Sequence, residues 1–478
     1  MRLGTLYSND HSSVIPLPSN SRRQLVGLLT VGSLMALVGC ANLAPGYTRP
    51  EAAVPHAATS ANVEVPVLDW RTFFTNERLR DTVALALVNN RDLRVAALKV
   101  DKARAAFQVS DAGRLPTLTA SADATKTQSS SSKSLQLALS SFEIDLFGRV
   151  KNLSESAQQT LFATAETRRS TQISLVAEVA NAWLVLAADL ERQRLAQQTL
   201  DSRQRTLDLT RRQYALGAIT GLALAQAQTE MESARVDVAA YPATIAQDRN
   251  ALELLLGAAL PQELQPTASD AQATVSALLE LPADVPSSVL LQRPDVLAAE
   301  HALIASHADI GAARAALFPT ISLTASAGRS SSALSDLFKG GSGVWSFGPS
   351  ISMPIFDGGA TRASLRSAEV SRDIALATYD KTVQTAFGEV ADALAVRASL
   401  SERLAAQQAL NVSTTRQLQL AQAKYSAGST TMLDVLDAQR SLYAAQQSMI
   451  SLLLAEQSNR ITLYKVLGGG WKNNKEES

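Results

Sequence analysis

From Val150 to Tyr214 the chain reads VKNLSESAQQTLFATAETRRSTQISLVAEVANAWLVLAADLERQRLAQQTLDSRQRTLDLTRRQY, with neither proline nor glycine. Those two residues are the usual helix breakers, and a run of roughly 65 residues without them reads as one helix of about 100 Å at ~1.5 Å per residue. Within it Val176, Ala180, Trp183, Ala187 and Leu190 recur at spacings of four and three. That is a coiled-coil-like seam, and it needs a neighbouring helix to bury it. Gly217 marks a reversal, and a return helix over 221–256 supplies the neighbour.

The same unit is written a second time. Ala360 to Tyr425 is again long, with only Gly388 inside it, and Val383, Phe387, Val390 and Leu394 repeat the seam. Tyr214-Ala215-Leu216-Gly217 matches Tyr425-Ser426-Ala427-Gly428 at an offset of 425 − 214 = 211, and Gln228 and Gln439 keep that offset. Upstream, Leu115-Pro116-Thr117 matches Phe318-Pro319-Thr320, and Asp92 matches Asp295, both at 318 − 115 = 203. Ordered matches through both halves define two repeats, 76–258 and 286–469. A linker at 259–285 joins them, and a tail at 470–478 follows. The second long helix is expected over 360–425 and its return helix over 431–467.

Ahead of each long helix lie two alternating segments, about 116–126 and 135–146 in the first repeat and about 318–328 and 344–356 in the second. Leu118, Ala120, Ala122 and Ala124 alternate with Thr119, Ser121, Asp123 and Thr125, while Ile321, Leu323, Ala325 and Ala327 alternate with small polar residues. Period two places one apolar and one polar face on a strand. The second segment changes phase near Ser140-Ser141, which predicts a bulge. Gln128–Lys133 and Gly328–Gly343 are rich in Ser and Gly and read as hairpin loops. Strands near ten residues suit a membrane barrel, but four cannot close one, so several chains must share it. The alternative is a soluble four-stranded sheet beneath a scaffold of helical hairpins.

Of 478 residues, 44 are basic and 44 acidic, so charge argues for no nucleic-acid partner and for no acidic tail. Near the start, Arg22-Arg23 precede an apolar run from Leu25 to Val38 that ends in Leu37-Val38-Gly39-Cys40. This is the pattern of a secretory leader over 1–39, too short to span a membrane. The paired arginines leave a twin-arginine route open beside the general one. Cys40 is the single cysteine, so no internal disulfide forms. The exported part holds no further candidate for a spanning helix, so any crossing is expected to be made by strands.

The segment ending at Cys40 resembles a bacterial lipobox, which implies acylation of that thiol as the only covalent group, with no other cofactor. Ala41 in place of Asp implies sorting to the outer membrane. More broadly, four further features carry a family resemblance. These are the strap over 40–75 with Pro45, Tyr47 and Pro50; the block Phe142 to Arg149; Pro354-Ile355-Phe356-Asp357-Gly358-Gly359; and Val435-Leu436-Asp437-Ala438-Gln439-Arg440. Together they resemble the TolC-like outer-membrane efflux channels, in the OprM-like lipoprotein branch also called the NodT family. That resemblance implies a mainly α protomer with a β-barrel part. Three copies would form a twelve-stranded outer-membrane β-barrel continued by a periplasmic helical barrel. It further implies a homotrimer in contact with outer-membrane lipid, a periplasmic adaptor and an inner-membrane transporter, and a passive exit for small toxic solutes.

Two groups of candidate residues follow. Leu433, Asp437 and Arg440 share a helix face by their spacing, with Asp434 beside them, and the resemblance makes these four a periplasmic gate. Solvated charges at a helix start are the competing reading. Tyr214, Gly217, Tyr425 and Gly428 sit at the two reversals, either as turn chemistry alone or, by resemblance, as docking points for an adaptor. Enzyme readings find no support: no phosphate-cradling Gly-rich loop is followed by Lys and Ser or Thr. His301 and His307 are six apart, off the same-face spacing of a helical metal pair.

Overall fold

A computed structural model describes residues 42–51, 69–276 and 287–470. Cys40 and the leader over 1–39 lie outside the described residues, as do part of the strap, of the linker and of the tail. Along the chain run α1 (Trp70–Phe73), α2 (Glu77–Asn89), α3 (Arg91–Ala112), β1 (Leu118–Lys126), β2 (Ser131–Ile144), α4 (Arg149–Ala215) and α5 (Gly221–Leu256). After the linker come α6 (Ser287–Leu290), α7 (Pro294–Ala315), β3 (Thr320–Ser331), β4 (Gly343–Ser352), α8 (Ala360–Ser426) and α9 (Met432–Val466). Both long helices, α4 and α8, hold 67 residues, and α8 runs unbroken through Gly388.

The chain forms two compact units that cut across the repeats. One gathers Asp111–Leu153 and Asp309–Leu365, and so holds the sheet. Its strands run antiparallel in the order β1-β2-β3-β4. Cross-strand partners Ala120 and Leu137, Leu137 and Ala327, and Ala327 and Trp345 carry the apolar face across all four strands. On the opposite face Ser322 and Ser350, then Ser326 and Ser346, join hydroxyls at 2.7 and 2.8 Å. The register shifts between Leu139 and Phe142, and Ser141 takes φ 44°. Without that extra residue Phe142 and Ile144 would fall on the polar face. The bulge returns them to the apolar one, opposite Leu323 and Ile321.

Three expected limits need correction. β2 starts at Ser131, inside the expected loop, because Thr127 and Ser130 close a tight turn in which the Thr127 N–H reaches the Ser130 carbonyl at 2.8 Å. β3 continues to Ser331, so the second loop is shorter than Gly328–Gly343. β4 ends at Ser352, just ahead of Pro354, which has no N–H for the ladder.

The other unit holds most of the helices. Val176, Ala180, Trp183 and Ala187 are fully buried, and the first three build the main core with Phe73, Phe74, Leu252, Leu256 and Tyr464. Trp183 donates its indole N–H to the Leu264 carbonyl at 3.1 Å, which satisfies the polar atom of a buried ring. Phe73 stacks on Tyr464 with ring centres 4.4 Å apart. In the second repeat Val383, Val390 and Tyr379 play the equivalent part. A stretch of α4 is, by composition, apolar enough to cross a membrane, contrary to the sequence expectation. Most of that stretch is buried, as a core helix requires.

Candidate functional site

Both reversals are built alike. After α4 the Ala218 N–H bonds the Gln213 carbonyl at 2.9 Å and the Gly217 N–H bonds that of Tyr214 at 2.9 Å. After α8 the Ser429 and Gly428 N–H groups bond Lys424 and Tyr425 at 2.9 and 3.0 Å. Each is a Schellman ending, which needs a left-handed residue, and Gly217 and Gly428 have φ 71° and 73°. Tyr214 is half exposed, whereas the Tyr425 hydroxyl reaches across to the Gln213 side chain. Beneath the turns Leu207, Ala227, Met231, Met432, Val435 and Leu436 pack together, so α4, α5 and α9 meet in one apolar cluster.

The four gate candidates lie at the start of α9, and the structure divides them. Leu433 is 44% exposed, on the face away from Met432, Val435 and Leu436. Asp437 and Arg440 share that exposed stripe and pair with each other at 3.1 Å. Asp434 is engaged differently. Its carboxylate accepts from the Thr431 N–H at 3.0 Å, from the Thr431 hydroxyl at 2.7 Å and from the Thr430 hydroxyl, which completes a capping box. These bonds, those of the threonine hydroxyls foremost, hold its carboxyl down at about 2.

Glu230, which nothing in the sequence singled out, completes the site. Arg440 donates to its carboxylate at 2.7 and 3.2 Å, so this glutamate is its partner on the neighbouring helix. The same carboxylate lies 3.2 Å from Arg203, a buried arginine of α4 that also donates to the Glu230 backbone carbonyl at 2.8 Å. One turn further, the Tyr443 hydroxyl bonds Asp237 at 3.2 Å, and Gln447 donates to Tyr443 and Tyr241 at 3.1 and 3.3 Å. Charge and hydroxyl contacts therefore tie α9 to α5, and α5 to α4, over two successive turns. The 210-residue separation of Glu230 and Arg440 explains why no local pattern revealed the pair.

Higher in the same unit Asp189 and Asp248 face each other. Asp189 pairs with Arg192 at 2.6 Å, and burial followed by the Asp189 carboxyl pushes Asp248 up to about 6. His301 bonds Gln159 at 2.8 Å while His307 meets the Tyr47 ring edge-on, so the two histidines have separate surroundings.

Within one unit the sheet leaves an apolar face exposed, and within the other the start of α9 carries a charged stripe. The family profile described as outer membrane efflux protein matches the chain twice, over residues 82–258 and 285–469, once in each half. The toluene efflux pump outer membrane protein TtgC of Pseudomonas putida is 41% identical, over 93% of this chain and 96% of its own length. The cation efflux system protein CusC of Escherichia coli is 42% identical, over 91% of this chain and 97% of its own length. Among solved structures, the open state of the MtrE outer membrane channel of Neisseria gonorrhoeae is 37% identical. It covers 90% of this chain and 99% of its own, with a TM-score of 0.83. The chain belongs to the outer membrane efflux protein family, whose members are channel-type efflux proteins of the outer membrane.

Proposed function

We propose that three copies of this chain close a twelve-stranded barrel and serve as the passive exit duct of a tripartite pump. The observation that carries this reading is the sheet. Its outer strands β1 and β4 have no further strand partner among the described residues. Its apolar face leaves Trp345, Phe347 and Ile351 exposed by 80%, 62% and 72%. Unpaired edges and bare aromatics in water are a liability that lipid and neighbouring strands remove together. The serine and threonine ladder then faces the bore. Cys40 carries acyl chains and anchors the mature N-terminus.

The two Schellman turns receive the helical hairpins of a periplasmic adaptor, with Tyr214 and Tyr425 flanking the contact. Leu433, Asp437 and Arg440, with Asp434 bracing the helix start, narrow the mouth by an apolar ring and charged rings. An exposed Arg–Asp pair contributes only about 0 to 1 kcal/mol, so docking has little to overcome. Energy and choice of solute belong to the inner-membrane transporter. Purified protein in a planar bilayer should give discrete single-channel steps. A protein that sediments as a monomer and never conducts is instead a periplasmic scaffold of helical hairpins.

A further inference from the structure

The four strands carry five charged side chains, and the pleat sorts them by sign. Across the sheet Lys126 is opposite Ser131, Ala124 opposite Lys133, and Leu135 opposite Arg329, which puts all three cations on the apolar face with Ala122, Leu137 and Ala327. Asp123 is opposite Ser134 and Glu143 opposite Ser322, so both acids lie on the serine and threonine face. Residues two apart on a strand share a face, and a slip of one would mix the signs.

The cations are sorted by position as well. Lys126 is the last residue of β1, Lys133 the third of β2 and Arg329 the third from the end of β3, so each stands at the hairpin-loop end of its strand. Lys126 is diagonal to Lys133, and Lys133 to Arg329, at the ~7–8 Å of diagonal neighbours on one face. One pleat further from the loops the same face carries Trp345, opposite Ala327 and largely exposed. An aromatic just inside a row of cations is the layering of a strand surface that passes from hydrocarbon to headgroups.

Edge protection does not account for the row. A lysine can keep an edge strand from stray pairing, but only Lys126 lies on an edge, while β2 and β3 are central. Partners within the chain do not account for it either. Lys126 is exposed. The Lys133 ammonium donates to the Ser131 hydroxyl and the Ser332 carbonyl at 3.3 and 3.4 Å, and Arg329 to the Lys339 carbonyl and the Ser342 hydroxyl at 3.5 and 3.4 Å. These are long contacts to neutral oxygens. Among the described residues no carboxylate pairs with any of the three: Glu143 is taken by Arg149, and Asp336 by Lys339 at 2.7 Å. Like charges in a row on a face otherwise made for lipid call for an anion from outside the chain.

We propose that this row binds the diphosphorylated glycolipid of the outer leaflet, lipid A, through its two phosphates. One phosphate bridges Lys126 and Lys133, the other Lys133 and Arg329, and the acyl chains run down the apolar face past Trp345. A phospholipid with one phosphate reaches a single adjacent pair, so the length of the row favours the doubly charged lipid. The inference rests on the duct reading, in which the hairpin-loop ends point outward because the opposite strand ends continue along the chain into helices.

The test is native mass spectrometry of the full-length protein in detergent, titrated with diphosphoryl lipid A, monophosphoryl lipid A of the same acylation, and phosphatidylglycerol. The diphosphoryl form should be retained about tenfold better than either of the others, the ratio that one further charge-assisted phosphate contact gives. Lys126→Gln with Lys133→Gln and Arg329→Gln should erase that ratio. Lys126→Gln alone, at an exposed strand end, should lower it, and it still tests the row if the triple variant fails to assemble. Equal retention of the two lipid A forms by the wild type overturns the proposal, as does an unchanged ratio in the triple variant. Phosphatidylglycerol retained as well as the diphosphoryl form overturns it too, since any anionic lipid would then serve. Conductance separates these failures from the broader one. A wild type that conducts without lipid preference loses only the glycolipid site, and one that never conducts loses the duct.

Discussion

The two reversals, Tyr214–Gly217 and Tyr425–Gly428, have the same backbone but different chemistry just beyond it. Both end in a Schellman motif with a left-handed glycine. Past the turn, Thr220 caps α5 through a single 3.3 Å bond to the Ala223 N–H, whereas Thr431 and Asp434 form a capping box at α9. At the offset of 211, Ala223, Gln226 and Thr229 stand where the second repeat has Asp434, Asp437 and Arg440. Duplication therefore preserved what the backbone needs and let the charge diverge. A turn requires glycine wherever it occurs, while the constriction proposed for three copies of the chain would require the charged stripe only once per chain.

The largest effect is expected from removing that divergence. Asp437→Ala with Arg440→Ala should raise single-channel conductance several-fold and weaken block by divalent cations. The matched pair Gln226→Ala and Thr229→Ala should change neither. Equal conductance in all three proteins would return the stripe to the status of solvated charge at a helix start.

The next test strikes what the repeats share. An added Cβ at Gly217 or Gly428 meets nothing within 4 Å, so the strain of substitution comes from the positive φ alone. Gly217→Val and Gly428→Val should each cost about 1–2 kcal/mol by thermal unfolding, with the two values alike. Loss of efflux at normal trimer levels would support adaptor docking at these turns. Loss of the trimer would make them structural only.

Much of this frame was legible in the chain, and the reasons differ from place to place. The helices declared themselves because 67 residues without an effective breaker permit little else, and the bulge because two serines interrupt an alternation that then resumes out of phase. The first residues of β2 were hidden, since Ser131, Ser132 and Lys133 have the composition of a loop and become strand only through pairing with Lys126, Thr125 and Ala124. The charged stripe was visible as spacing on a helix. Its anchor was not, because Glu230 meets Arg203 and Arg440 only after the hairpins close. Asp434 was placed beside Asp437 as a gate candidate, and its engagement in the cap shows only in the structure.

A smaller contrast lies further along the same helices. Asp189 and Asp248 face each other in the first repeat where the offset of 211 puts Leu400 and Asn459 in the second. There Leu400 is buried, and Asn459 donates to the Ala393 carbonyl at 3.0 Å. With Asp248 raised to about 6 in the folded chain, the stability it contributes is complete below the ordinary carboxyl value near 3.8 and is lost as pH rises through about 6. Asp248→Asn copies the second repeat and should flatten that dependence, melting above the wild type on the alkaline side of the transition and not above it on the acid side. Identical melting curves at both extremes would mean that the two carboxyls do not share a proton.

The smallest effect concerns the caps. Thr220→Ala removes a neutral cap and should cost about 1 kcal/mol at every pH, because no ionisable group takes part. Asp434→Asn removes a charged one. Its carboxyl is held at about 2 against an ordinary value of 3.8, so the stability it contributes is present above the ordinary value and fades as pH falls through about 2. Asp434 is fully exposed, and salt should shrink the effect as it screens the carboxylate from the helix start. Unfolding curves for wild type and Asp434→Asn should accordingly separate at about pH 5 and converge toward about pH 2, while those for Thr220→Ala stay parallel to the wild type throughout. A gap for Asp434→Asn that persists undiminished in acid would show that the carboxylate acts by shape and hydrogen bonding alone.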